Sequence, residues 1–360
     1  MVMDLLMESA LKAAKNNAVD ETLFSQALIK VVGVGGGGCN MAHWLYKKGV
    51  KGAEVIIANT DQVHLNARSA DKKILIGKET TRGLGAGGFP EKGKQAAEES
   101  ARELKDSLRG ADLVFVCAGL GGGTGTGGAP VVAKMAKELG AIVISTVTMP
   151  FKTERKRVEH AELGLQELRG SSDTVIVIDN NKLVSIAGNL PLDQAFNVAN
   201  EVVATMIKGI VETIAIPSLV NLDFADIKAI MNKGGVSVIG IGETDASDSR
   251  VNEVVKRALS NPLLDVSYKG AKGALIHITG GPDLTLSEVD QIGRQATEAL
   301  DPDAVVIWGA RIDENMSGKL RVMTIITGVS SPYLLGPEDV TTLSKTTGAI
   351  SQELGIEVLR

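Results

Sequence analysis

The chain has 360 residues, 44% hydrophobic and 22% charged, the balance of a globular protein with one large or two smaller domains. A net charge of −5 argues against a nucleic-acid binder, which usually carries a basic excess. Aromatics reach only 3%, so the core must be aliphatic, and the two cysteines, Cys39 and Cys117, form no Cys-x-x-Cys, which fits a reducing cytoplasm.

Residues 1–27 read as a helical extension, with Leu5, Leu6 and Leu11 apolar against Lys12, Lys15 and Asn16. Asp4 and Glu8, without a basic start, do not fit a secretory leader. From residue 28 short β-branched runs alternate with helical stretches. Strands are expected at 28–34, 54–59, 73–76, 113–118, 141–148 and 174–179, with helices at 39–48, 92–109, 128–139 and 155–169. Nearly all-apolar strands in such alternation predict a mostly parallel sheet covered on both faces, so the first domain, 28–190, is of the Rossmann-like α/β class.

A long helix at 192–214, ended by Pro217, occupies most of a 191–219 connection. A smaller α/β domain at 220–330 follows, with strands near 237–241, 274–279, 304–310 and 321–327 and helices near Asp226, Val254 and Val289. Residues 331–360 read as a flexible tail ending in the apolar-acidic peptide Glu353–Arg360. No apolar run approaches a membrane span, which predicts no direct membrane insertion.

Glycine carries the chemistry. Gly33-Val34-Gly35-Gly36-Gly37-Gly38 lies between a strand and a helix, where bare backbone amides and the helix N-terminus favour a phosphate. It also satisfies Gly-x-Gly-x-x-Gly, a weak match because consecutive glycines fit many patterns. Gly121-Gly122-Gly123-Thr124-Gly125-Thr126-Gly127 is more specific. Five glycines lose much entropy on ordering, and one or two would make a tight turn, so the run points to a bound ligand. Pro130 is expected in the first turn of the helix that follows, where its missing N–H costs nothing. A third loop, Gly83-Leu84-Gly85-Ala86-Gly87-Gly88, would meet the other two in one crevice, although a flexible surface loop would look the same.

Absences narrow the chemistry. There is no Gly-x-x-x-x-Gly-Lys-Ser/Thr, no His-Glu-x-x-His and no Gly-x-Ser-x-Gly. His43, His64, His160 and His277 are scattered, and no metal-ligand set is read from them. In Asn221-Leu222-Asp223-Phe224-Ala225-Asp226 the two acids are three residues apart, so a helix would place them on one face. They could be catalytic, or they could simply cap the helix and favour its first turn.

These loops together resemble FtsZ, the tubulin-like cell-division GTPase family, over residues 28–330. The resemblance implies the tubulin/FtsZ fold: a GTP-binding domain, a central helix and a GTPase-activating C-terminal domain. It implies GTP/GDP as ligand, with Mg²⁺ carried on the phosphates. Phosphate contacts would come from Gly35, Gly36, Gly37, Gly38 and Asn40, and from Gly121, Gly122, Gly123, Thr124, Gly125, Thr126 and Gly127. Asn59 and Asp61 would form a second loop, and Gly85, Ala86 and Gly87 a third near the γ-phosphate. Glu154 and Arg157 would contact ribose and phosphates. Arg157 stands three residues after Glu154 where the family often has four, which leaves Arg155 as an alternative. Asn180 and Asn200 would read the guanine edge and Phe196 would stack on it. Asn221, Asp223 and Asp226 would complete the site of the next subunit in a head-to-tail homopolymer, making hydrolysis depend on assembly. The tail would dock a membrane-attached division adaptor, placing the protein in the cytoplasm at the division site. Two rivals are an NAD(P)-dependent oxidoreductase using Gly33–Gly38, and a GTP-binding scaffold that does not hydrolyse.

Overall fold

The structure is a computed structural model that describes residues 27–216, 218–220, 222, 224–231, 236–245, 249–260 and 267–329. The expected N-terminal helix, Pro217, Asn221, Asp223 and the C-terminal tail lie outside the described residues.

Six strands form the first sheet: β1 (Ile29–Val34), β2 (Ala53–Asn59), β3 (Lys72–Leu75), β4 (Leu113–Gly119), β5 (Ile142–Met149) and β6 (Thr174–Asp179). Their order is β3-β2-β1-β4-β5-β6, parallel throughout. The apolar runs are continuous because both faces are covered. On one face Val32, Val34, Val114 and Val116 pack against Ala97, Leu104, Val132 and Leu168. On the other Val31, Leu113, Phe115 and Cys117 meet Met41, Leu45, Val203 and Ile207.

Seven helices connect these strands: α1 (Gly35–Lys47), α2 (Gln62–Asn66), α3 (Lys78–Thr81), α4 (Pro90–Glu99), α5 (Ala101–Leu108), α6 (Thr124–Glu138) and α7 (Lys156–Ser171), and α8 (Asn180–Ala187) follows β6. Four expectations are corrected here. The helix expected at 39–48 begins at Gly35 and the one at 128–139 begins at Thr124, so both absorb glycines read as loop. Pro130 is therefore inside α6 rather than in its first turn. The single helix expected over 92–109 is two, broken at Ser100, whose Oγ accepts the Gly77 N–H at 3.0 Å.

The long helix α9 (Leu192–Ala215) lies between the two sheets. Gly209 in its middle lets Ile241 and Met323 approach, since a Cβ there would stand 3.0 Å from Ile241 Cδ1. Beyond it come α10 (Phe224–Met231), β7 (Val236–Thr244), α11 (Arg250–Leu259), β8 (Gly273–Gly280), α12 (Leu286–Thr297), β9 (Val305–Ile312) and β10 (Leu320–Val329). The second sheet has the order β7-β10-β8-β9, with only β8 and β9 parallel. Its inner face, with Ile239, Leu275 and Met323, joins the α9 core, while α11 and α12 close the outer face through Val254, Ala258 and Ile292.

Candidate functional site

In the first sheet the strand order reverses at β1 and β4, whose following loops diverge and leave a crevice at the strand C-termini. A cavity of about 680 Å³ lies there, walled by both glycine loops, by α1 and by the start of α9. The N-termini of α1 and α6 both open at this end, so their unpaired amides and partial positive charge favour an anion.

The glycines divide into two groups. A Cβ on Gly125 would stand 2.5 Å from Gly119 O, and one on Gly127 would stand 1.9 Å from Pro90 O. These positions are glycine because backbones cross there, so the ligand argument does not need them. Gly36 and Gly122 differ. A Cβ on Gly36 would meet nothing nearer than His64 Nε2 at 3.9 Å, and one on Gly122 would meet nothing within 4 Å. Both have negative φ and both line the cavity. The fold does not demand glycine at either position, while a close ligand does.

Twelve of the residues singled out in the sequence share this wall: Gly36, Gly37, Asn40, Gly122, Gly123, Thr124, Gly125, Glu154, Arg157, Asn180, Phe196 and Asn200. Thr124 is steadied by a 2.6 Å hydroxyl contact with Thr60. Arg157 donates to Glu154 at 2.6 Å, and the other Glu154 oxygen accepts the Phe151 N–H. Arg157, not Arg155, faces the cavity, and Arg155 takes an unusual φ of 39° where the chain turns into α7. Phe196 and Phe151 pack in a T-shaped pair at 6.0 Å, and both line the cavity as an aromatic patch.

The remaining residues support the wall from behind. Gly35 and Gly38 are buried under the β4 loop, and Gly121 donates its N–H to Thr126 Oγ1 at 2.9 Å. That bond ties Thr126 to the loop, away from the cavity. Asn59 is buried, donating to His64 Nδ1 and accepting the Thr60 N–H. Asp61 caps α2 through the His64 N–H. The third loop, with Gly85, Ala86 and Gly87, does not join the cavity wall. It leans on the Gly121–Gly127 run instead, where a Cβ on Gly123 would come 2.8 Å from that of Ala86.

Sequence reasoning missed several wall residues: His43, Trp44, Arg68, Phe151, Asp193 and Asn197. The Trp44 indole donates to Glu201 at 2.7 Å, and Lys48 pairs with the same carboxylate and reaches Thr205 at 2.9 Å. Helix α1 is thereby fastened to α9 beside Asn200. Both cysteines lie behind the loops. Burial pushes their thiols up to about 12, so neither serves as a nucleophile.

Asp226 is in the first turn of α10 and does not line this cavity. The segment leading to it is anchored to the second sheet. Val220 exchanges two backbone hydrogen bonds with Ala310 of β9, and Leu222 fills the space over Gly309, where a Cβ would come within 2.6 Å. Ser218 contacts His277 Nε2 at 3.4 Å.

Comparison with known proteins decides the family. Residues 28–188 match the Tubulin/FtsZ family GTPase domain, and residues 235–330 match the FtsZ family C-terminal domain. The protein named cell division protein FtsZ 2 of Methanocaldococcus jannaschii is 56% identical over 94% of this chain and 90% of its own. The chain belongs to the tubulin/FtsZ family. A second FtsZ 2, from Halobacterium salinarum, is 54% identical over 87% of this chain and 80% of its own. A solved FtsZ dimer from M. jannaschii superposes with a TM-score of 0.78 at 48% identity, covering 89% of this chain and 91% of that one. The protein is thus a cell-division GTPase of the filament-forming, tubulin-like kind, and it binds GTP. The oxidoreductase and non-hydrolysing readings are overturned by this membership. Among the described residues no helix is long and apolar enough to cross a membrane.

Proposed function

We propose that the cavity between the β1 and β4 loops is the GTP site, and that the acidic segment at Asp226 completes such a site on a second copy of the chain. The openness of Gly36 and Gly122 carries the first half, because it leaves room for phosphates against bare backbone. In this assignment the amides of Gly36, Gly37 and Gly122–Gly125 hold the phosphates. Glu154 and Arg157 address ribose and phosphate, Phe196 stacks on the base, and Asn180 and Asn200 read its edge. Mg²⁺ would be carried on the phosphates. When bound, it would offset phosphate charge.

The protein's part in phosphoryl transfer is mostly positioning and electrostatic stabilisation. Asp226, with Asn221 and Asp223, would orient the attacking water from a neighbouring subunit in a head-to-tail filament. Such a contact joins different surfaces and does not close, so it gives open polymers. The tail would dock a membrane-attached adaptor, bringing filaments to the division site.

The test is turnover against protein concentration. Turnover per subunit should rise steeply as filaments form. Asp226→Ala should bind GTP and assemble yet lose most hydrolysis. Equal turnover per subunit at all concentrations, from a protein that stays monomeric, would refute the shared site.

A further inference from the structure

Arg68 lines the cavity and was not anticipated from the sequence. It follows the short helix α2, and its Nε donates to Asn40 Oδ1 at 2.7 Å. Its Nη1 reaches the Ala67 carbonyl oxygen at 3.4 Å. Among the described residues no carboxylate pairs with it. Asn40 is on α1, five residues past Gly35, or about 7.5 Å along the helix axis. It shares the cavity wall with Phe196 and Asn200, which the proposed function assigns to the base, so we read it against the nucleoside in place of the phosphate contact that the family resemblance implies.

A side-chain amide has two orientations that exchange donor for acceptor. On a wet wall they are nearly equal in energy, and such a group discriminates poorly between ligands. A guanidinium removes the choice because it has five donors and no acceptor. Asn40 must turn its oxygen to Arg68, which leaves the NH₂ group for the cavity. That nitrogen makes no hydrogen bond among the described residues.

We propose that Arg68 is a positioning residue for nucleobase recognition: it locks the Asn40 amide so that the wall presents a donor, not an acceptor, to the nucleoside. The proposal rests on the assignment of this cavity as the nucleotide site. Arg68 acts through Asn40, which separates it from a cation that merely attracts phosphate.

A double-mutant cycle tests this on the full-length protein, with GTP and ATP affinities measured by calorimetry. Arg68→Met should weaken GTP by roughly fivefold to tenfold, the worth of one hydrogen bond, and narrow the GTP-over-ATP ratio. Asn40→Ala should do the same. The double variant should be no worse than Asn40→Ala alone. Arg68→Lys, which keeps a donor and the charge, should recover most of the selectivity. Losses that multiply in the double variant, or an Arg68→Met protein with unchanged selectivity, would overturn the proposal. Failure of the cavity assignment has a different signature: a Gly122→Asp protein that binds GTP as well as the parent.

Discussion

Two glycines five residues apart in one glycine-rich run should respond to the same methyl group in opposite ways. On Gly127→Ala the new Cβ would sit 1.9 Å from Pro90 O and 2.7 Å from Lys94 N, both backbone atoms of α4. Ordinary contact begins near 3.4 Å, so the carbonyl must retreat by 3.4 − 1.9 = 1.5 Å, and a helix has to move with it. Overpacking on that scale costs about 3 kcal/mol, and at roughly 2–4 °C per kcal/mol the midpoint falls by about 6–12 °C. Gly122→Ala meets nothing within 4 Å and has no positive φ, so its stability should stay within about 0.5 kcal/mol of the parent. Its methyl would instead occupy the space where a phosphate meets the backbone. Losing one charge-assisted hydrogen bond costs about 1.5–3 kcal/mol, or roughly 10- to 100-fold in GTP affinity. Thermal unfolding without nucleotide and equilibrium GTP binding read the two effects separately. A Gly122→Ala protein with parental affinity would refute the claim that ligand, not fold, keeps this position open.

Two further outcomes follow from buried titratable groups. His277 is buried beside Thr213, Ser218 and Arg311, and burial with the nearby guanidinium pulls it down to about 4. The unfolded chain then binds the proton first, so the stability is intact above pH 6.5 and is lost as pH falls toward 4, by about 3 kcal/mol in all. Urea unfolding between pH 4 and 7 should show this slope, and His277→Gln should flatten it. Cys39 and Cys117, with thiols pushed up to about 12, should resist maleimide at pH 8 in the native protein and react only on unfolding. Rapid labelling of the native state would contradict their burial.

The strands were legible because six apolar runs need only a sheet buried on both sides, and Thr174–Asp179 falls where its residues alone place it. Helix starts were not. Glycine disfavours helix, yet α6 begins at Thr124 and carries Gly125, Gly127 and Gly128, because close backbone packing against β4 and α4 overrides propensity. The helices α2 and α3 have five and four residues, too short to show a period. The cavity was half legible. Its glycine loops are local in sequence, and the resemblance supplied Glu154, Asn180, Phe196 and Asn200. Trp44 meets Glu201 across 157 residues and Arg68 meets Asn40 across 28, and only the tertiary fold brings them together.

The geometry of α9 bears directly on whether one subunit could hydrolyse GTP alone. Its first turns, with Asp193, Phe196 and Asn200, stand on the cavity wall at the C-terminal ends of the strands. Its last residue, Ala215, touches Gly52, just before β2 begins, at the opposite edge of the sheet. Twenty-four helical residues span about 36 Å, so the chain leaves the cavity by that distance before reaching Val220. The segment from Val220 is then held to β9 by its paired backbone, and Leu222 over Gly309 holds it in place. Asp226, one helical turn further on, is therefore remote from the cavity of its own chain. On the proposed shared site, any part Asp226 takes in hydrolysis is played on another copy of the chain.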